Sequence, residues 1–387
     1  MKANFVDKGA SRYVVGKVER FDQKNEMFKR SFWDPKMMDL GRKFYREEVM
    51  PTDKPGYRLQ DQALVNAAWR LEHSFAQGVK GGKRGLYAWE WDGKFSYPRA
   101  PSGLRISVDD PVKVTRELKR AATFFGASLI GVGELDRQWL YSYAYLIYGD
   151  DSEPVEKIEI PEESKYAIAI AIEMGYEDIR CSPAHPASAA TGAGYSKMAS
   201  TAGQVAQYIR GLGYQAIPCG NDTACSIPIA IDAGLGELGR NGLLITPDFG
   251  PRVRLAKVFT DLPLVPDRPI EFGVWDFCMR CQKCAENCPS GALMFREPRE
   301  KPNNISNREG VLRWPVNAEK CLAFWAANGT DCSNCIRACP FNKPPGRLHD
   351  AVRWGVKNAR WLDPFFVRMD DLFGYGKQVE AGKFWGE

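Results

Sequence analysis

Residues 278–289 read CMRCQKCAENCP, four cysteines in the spacing C-x2-C-x2-C-x3-C, closed by a proline. That spacing puts three thiolates on one tight loop and sends the fourth elsewhere, which is how iron–sulfur clusters are held. Soft sulfur ligands spread the charge of the iron, so an electron is held with little rearrangement. A second run, CLAFWAANGTDCSNCIRACPFNKP at 321–344, supplies Cys321, Cys332, Cys335 and Cys339, again followed by proline.

In two-cluster ferredoxins the fourth cysteine of each run ligates the other cluster. The same crossing groups Cys278, Cys281, Cys284 and Cys339 as cluster 1, and Cys321, Cys332, Cys335 and Cys288 as cluster 2. Zinc knuckles close with four ligands and do not explain the run occurring twice. Cys181, Cys219 and Cys225 are left as ordinary thiols.

A chain of 387 residues is far longer than two clusters require, so the clusters are expected to feed something. The composition, 44% hydrophobic and 26% charged, is that of a folded soluble protein and excludes a disordered or fibrous one. The net charge of +5 comes from 53 basic and 48 acidic residues, interspersed without a long basic run. That argues only weakly for a nucleic-acid partner, and none is expected. No stretch approaches the roughly 18 apolar residues of a membrane span. The start MKANFVDKGASRYVV lacks the layout of a signal peptide, so the expectation is a cytoplasmic chain or one whose leader has been removed.

Residues 1–105, with SFWDP and GLYAWEWDGKFSYPRAPSG, show little periodicity and read as a wrapping segment. From 106 to 265 the pattern is α/β. DPVKVTRELKRAATFFGA predicts a helix opened by Asp109 and Asp110, and ASLIGVGEL and KYAIAIAIEM predict buried strands. GYSKMASTAGQVAQYIRGLGY has a helical apolar stripe at Tyr195, Met198, Ala202, Val205 and Ile209, ended by Gly211 and Gly213. QAIPC, GLLITP and RVRLAKVF follow as strands, the last expected to be partly exposed. Residues 266–345 form the cysteine module, and 346–387 read as a helical tail packed back on the body.

What could the clusters feed? The three histidines, His73, His185 and His349, are scattered, which disfavours a histidine-rich iron or copper site, and no CxxCH haem motif occurs. AGLGELGRNG carries G-x-G-x-x-G at Gly234, Gly236 and Gly239, with Asp261 about twenty residues on. A helix-like apolar run precedes it and a strand follows at once, the reverse of a dinucleotide fingerprint. The loop, with Asn241, is expected instead to let backbone approach another cofactor.

Taken in order, ERFDQKNEMFKRSFWD, FFGASLIGVGELDRQWLYS, GYSKMA, AGLGELGRNGLLITPDFGPRVRLAKVFTDLPL, WPVNAEKCLAFW and CPFNKP resemble the corrinoid-dependent reductive dehalogenase family along nearly the whole chain. The resemblance implies an α+β fold, with a nitroreductase-like α/β core that holds a base-off corrinoid (cobalamin or a related cobamide) beside a ferredoxin-like module with two [4Fe-4S] clusters. It implies an oxidoreductase of organohalide respiration, which replaces halogen on an organohalide by hydrogen and releases halide. In that family a Tyr, an Asn and a basic residue surround the upper face of cobalt, and the matching positions are Tyr195, Asn221 and Arg254. Phe32, Trp33, Phe324 and Trp325 are candidates for an apolar substrate wall. No D-x-H-x-x-G cobalt ligand is present, in keeping with a corrinoid lacking a protein axial ligand.

The family further implies an external low-potential electron donor, a small membrane-anchor subunit, and a peripheral site at the outer face of the cytoplasmic membrane after removal of a twin-arginine leader. Within this reading Arg254 is expected to lower the Tyr195 pKa and Asn221 to orient the hydroxyl. Two alternatives stay open. An epoxyqueuosine reductase-like enzyme shares corrinoid, core and clusters but acts on tRNA, and the absent basic run counts against it. A non-catalytic two-cluster electron-transfer protein would carry clusters without a corrinoid.

Overall fold

The alternation in YAIAIAIE, Tyr166–Glu173, sets the layering of the core. Side chains point to opposite faces along a strand. Ile168, Ile170 and Ile172 therefore enter one apolar layer, and Ala167, Ala169 and Ala171 the other. The computed structural model describes residues 3–76, 103–145, 155–221 and 223–387. The aromatic stretch at 85–103 lies, but for Gly103, outside the described residues.

Four strands make the central antiparallel sheet: Leu129–Glu134 (β1), Tyr166–Glu173 (β2), Ala216–Cys219 (β3) and Val253–Thr260 (β4), in the order β1-β2-β4-β3. The register places Ile172 opposite Arg254 and Cys219 opposite Lys257. The expectation that RVRLAKVF is partly exposed is thus corrected: β4 is interior, with a strand on each side, and Lys257 is only 1% exposed. Its cations suggested solvent, whereas they serve polar groups inside the protein.

Helices Pro111–Phe124 (α2) and His185–Gly211 (α3) cover the isoleucine face, through Leu118 on one and Met198, Val205 and Ile209 on the other. Each fully buried isoleucine contributes about 1.5–3 kcal/mol. Asp110 caps α2, its carboxylate accepting the Lys113 N–H at 3.1 Å. The alanine face receives Ser226–Asp232 (α4), whose end lies so close to β1 that a Cβ on Gly131 would fall 2.0 Å from the Ala233 carbonyl oxygen.

Helix α3 begins at His185 rather than near Gly194, where its apolar stripe starts. Its first turns, HPASAATGAG, carry small side chains on every face and so show no stripe, yet nearly all of them are buried. Their smallness lets other elements approach. Helix Leu59–Ala76 (α1) lays Trp69 where a Gly192 Cβ would meet its ring at 2.5 Å, and the Arg254 stem passes where a Gly194 Cβ would be at 3.0 Å.

The cysteine module follows in short helices, the longest being Ala318–Asn328 (α5). Arg30 ties the N-terminal segment to it, pairing with Asp34 at 2.7 Å and with Glu319 at 2.6 Å. The tail forms Arg347–Asn358 (α6) and Asp363–Leu372 (α7), joined to the module where buried Asp370 pairs with Lys283 and Lys343. The strand expected over GLLITP shrinks to Leu244–Ile245, paired with Glu237–Leu238.

Glu237 locks this hairpin to the start of the cysteine module by accepting the N–H groups of Phe272 at 2.6 Å and Val274 at 3.3 Å. Burial pushes its carboxyl up to about 7, against the lowering effect of those two bonds. Between the ordinary 4.5 and about 7 the native state holds a proton that the unfolded chain has released. Stability therefore falls as pH rises through that window. Urea unfolding at pH 5 and pH 7.5 is expected to show a loss of about 1–3 kcal/mol from this group, and Glu237→Gln is expected to remove that loss.

Candidate active site

The eight module cysteines form no disulfide. They divide by proximity into two sets. Cys284 is influenced by Cys278, Cys339 and Cys281, and Cys339 by Cys278. Cys335 is influenced chiefly by Cys321, Cys332 and Cys288, and Cys321 by Cys332 and Cys288. The chain thus brings the Cys339 thiol near the first run and the Cys288 thiol near the second.

Burial pushes the Cys278, Cys281, Cys321 and Cys339 thiols up to about 12, and Cys284 and Cys335 are also strongly raised. Such thiols stay protonated until a metal displaces the proton. Among the described residues no three His, Cys, Asp or Glu side chains converge closely enough for a single metal ion. The sets fit a larger body, and backbone N–H groups already face three of the thiols: Arg240 to Cys278 at 3.5 Å, Ala292 to Cys288 at 3.3 Å and Asn334 to Cys332 at 3.5 Å.

The glycine-rich loop lies against this module. Arg240 is 2% exposed and donates to the carbonyls of Cys278, Cys281 and Met294. Asn241 donates to the Cys335 carbonyl at 3.5 Å. The glycines have packing reasons: a Cβ on Gly236 would sit 2.1 Å from the Ile245 carbonyl oxygen, and one on Gly234 2.6 Å from that of Arg268. The thiol group that the backbone of this loop approaches is Cys278. Asp261, the acidic residue weighed for a ribose, instead accepts the Gln215 N–H at 2.7 Å.

Tyr195, Asn221 and Arg254 converge at the side of α3. Asn221 Nδ2 donates to the Tyr195 hydroxyl at 2.8 Å, so the oxygen accepts and its own proton stays available. The Arg254 guanidinium lies 5.0 Å from the centre of the Tyr195 ring. Its Nη2 donates to Thr191 Oγ1 at 3.1 Å, and its Nε lies 3.2 Å from Met174 Sδ. Its charge also reaches the Asp331 carboxyl. Trp69 stacks on Tyr195, with ring centres 4.8 Å apart at 25°.

Arg254 lowers the Tyr195 pKa as expected, yet the net shift is upward. Burial raises it, and Glu72 adds to the rise. The Arg254 charge and the Asn221 bond offset this only in part. Tyr195 is therefore a proton holder at neutral pH.

Ser188, Thr191 and Tyr195 fall on one face of α3, at i, i+3 and i+7. Ser188 hydrogen-bonds Asp331, whose carboxyl is raised by burial and feels the charges of Arg254 and His185. Asp331 is joined directly to Cys332, so the wall that holds Arg254 and Tyr195 abuts the second cysteine run. Sequence reasoning missed Asp331, Trp69 and Glu72. The one signal was a charge set inside a buried cysteine run, in TDCSNC.

Of the aromatic candidates, Trp325 joins Phe28 and Phe44, at 5.7 and 6.0 Å, with its buried indole N–H lacking a partner among the described residues. Phe32 extends this group through Tyr45 at 4.9 Å. Trp33 turns away and donates to the Lys24 carbonyl at 2.6 Å, while Phe324 is half-buried beside Trp325 on α5. A separate cavity of about 50 Å³ lies under the tail, between Phe277, Phe341, His349 and Tyr375. It adjoins cluster 1 rather than Tyr195.

Comparison with known proteins gives a consistent picture. Residues 277–343 match a 4Fe-4S dicluster domain. The chain is 39% identical over 311 residues to the tetrachloroethene reductive dehalogenase of Sulfurospirillum multivorans, covering 74% of this chain and 62% of that protein. It is 34% identical over 385 residues to a tetrachloroethene reductive dehalogenase of Desulfitobacterium hafniense, covering 84% of this chain and 70% of that one. Its fold is similar to the solved catabolic reductive dehalogenase NpRdhA in complex with 3-bromo-4-hydroxybenzoic acid, with a TM-score of 0.73 at 24% identity. That match covers 98% of this chain and 50% of the solved one. The chain thus spans less than two thirds of the Sulfurospirillum protein and half of NpRdhA.

The crossed ligand sets make a direct prediction. In the reduced, cluster-loaded protein, Cys278→Ser and Cys339→Ser are expected to alter the same electron paramagnetic resonance signal, and Cys288→Ser and Cys321→Ser the other. Pairing of Cys278 with Cys288 in this assay would refute the crossing.

Proposed function

This chain belongs to the reductive dehalogenase family, and from that premise we propose that it removes halide from an organohalide, using a corrinoid fed by two [4Fe-4S] clusters. The net reaction is R–X + 2 e⁻ + H⁺ → R–H + X⁻. One observation carries the reading: a tyrosine hydroxyl with an available proton and an arginine held by a hydroxyl and a thioether share a wall that abuts the second cysteine run. The wall suits a corrinoid's reactive face, since Tyr195 and Asp331 keep accessible surface deep in the protein. When bound, the corrinoid supplies a low-potential cobalt able to break the carbon–halogen bond.

The chain's own residues supply the rest. Tyr195 holds a proton at its hydroxyl and gives it up only to a strongly basic carbon, because burial keeps its pKa high. Asn221 fixes the hydroxyl from one side. Arg254 offers a positive charge to the departing halide. Cluster 2 abuts this wall, while cluster 1 lies beneath the tail, so we place electron entry at cluster 1 and exit at cluster 2. A chlorinated alkene is the first substrate to test, given the two tetrachloroethene-reducing relatives. Phe28, Phe44 and Trp325 suit an apolar one.

The external low-potential donor, the small anchor subunit and a site at the outer face of the cytoplasmic membrane belong to the same proposal. Among the described residues no helix is long and apolar enough to cross a membrane. An epoxyqueuosine reductase reading is set aside because the family match runs through 84% of the chain.

The test is halide release from tetrachloroethene by purified protein loaded with corrinoid and clusters, with reduced viologen as donor. Chloride formed at one per two electrons supports the reading. Viologen oxidation without chloride release from any chlorinated or brominated alkene, alkane or phenol would refute it. Tyr195→Phe is expected to keep clusters and corrinoid but to lower turnover about 10²–10⁴-fold.

A further inference from the structure

Among the described residues of the sheet, the charged group buried most fully is Lys257, at the centre of β4 and 1% exposed. Its ammonium donates to the carbonyls of Gly220 and Ala224, the latter at 3.1 Å, and to Ser226 Oγ at 2.9 Å. These acceptors lie on either side of Asn221 in the chain, so one amine fastens both arms of the loop that carries it.

The chain of donors continues. Ser226 Oγ, accepting from Lys257, turns its own proton to Asn221 Oδ1 at 3.2 Å. With Oδ1 engaged, the Asn221 amide must present Nδ2 to the Tyr195 hydroxyl, where it lies at 2.8 Å. Every donor in the sequence Lys257, Ser226, Asn221 points one way. The last acceptor is the tyrosine oxygen, whose remaining proton is turned out of the chain. A flipped amide would offer Oδ1 to Tyr195 instead and draw that proton back toward the loop.

We propose that Lys257 is a positioning residue for the reaction at Tyr195, setting the Asn221 amide through Ser226 so that the tyrosine proton faces the substrate. This rests on the reading of Tyr195 as proton donor. A lysine suits the task because it has three donors and no acceptor, so it cannot reverse the direction of the chain. The core position matters as well: burial on β4, with strands on both sides, removes the freedom that a surface lysine would have.

A double-mutant cycle on the corrinoid- and cluster-loaded protein tests this, using Lys257→Met, Asn221→Ala and the pair. Lys257→Met is expected to lower kcat about 10- to 100-fold, with KM changed less than about threefold and both cluster signals intact. The pair is expected to be no worse than Asn221→Ala alone, within about threefold, because both changes break one chain. Losses that multiply would overturn the proposal, since a lysine acting only on core stability is independent of the amide. If Lys257→Met does not fold, Ser226→Ala keeps the core amine and cuts the middle link. It is then expected to lower kcat at least about threefold, again without multiplying with Asn221→Ala, and an unchanged kcat would overturn the proposal. Full activity of Tyr195→Phe would instead overturn the proton-donor reading itself.

Discussion

A buried serine joins the two halves of this protein. Ser182, just before α3, accepts the Ser333 N–H at 2.8 Å through its hydroxyl and donates to Asn334 Oδ1 at 2.9 Å, while its carbonyl accepts from Arg337 at 2.5 Å. Asn328 adds a bond to the next carbonyl, that of Pro183, at 2.8 Å. These contacts weld the Cys332–Cys335 loop to the head of the helix that carries Ser188, Thr191 and Tyr195. Unsatisfied polar groups at such depth cost about 1–3 kcal/mol each, so the joint holds as a unit. The spacing between the Cys332–Cys335 loop and the head of α3 is thereby set by backbone contacts as well as side chains.

Burial then does chemical work at both ends. It raises the cysteine thiols, so metal must displace their protons, and it raises Tyr195, so the phenol keeps its proton until a strong base forms nearby. The cations in the interior are held by neutral partners as often as by carboxylates. Arg240 bonds module carbonyls, Lys257 bonds loop carbonyls and a hydroxyl, and Arg254 bonds a hydroxyl and a thioether.

Much of this was legible in the sequence, for identifiable reasons. Iron–sulfur spacing is a local property, so the 4Fe-4S dicluster domain was readable from two short runs. The alternation of YAIAIAIE and the stripe through Tyr195 marked the core because each has one period. The head of α3 escaped because small residues have no stripe, and β4 read as exposed because two of its cations are satisfied by groups far away in sequence. Tyr195, Asn221 and Arg254 were found through family resemblance, not through any physical pattern. Lys257 and Asp331 were missed because a buried charge is recognised only from its partners.

The central claim is that cluster 2, not cluster 1, abuts the reaction chamber. It is tested most directly by electron paramagnetic resonance of the loaded protein poised with both clusters reduced and cobalt paramagnetic. The account predicts that magnetic broadening of the cobalt signal survives Cys278→Ser and disappears in Cys321→Ser. Broadening that survives Cys321→Ser and disappears in Cys278→Ser would contradict it.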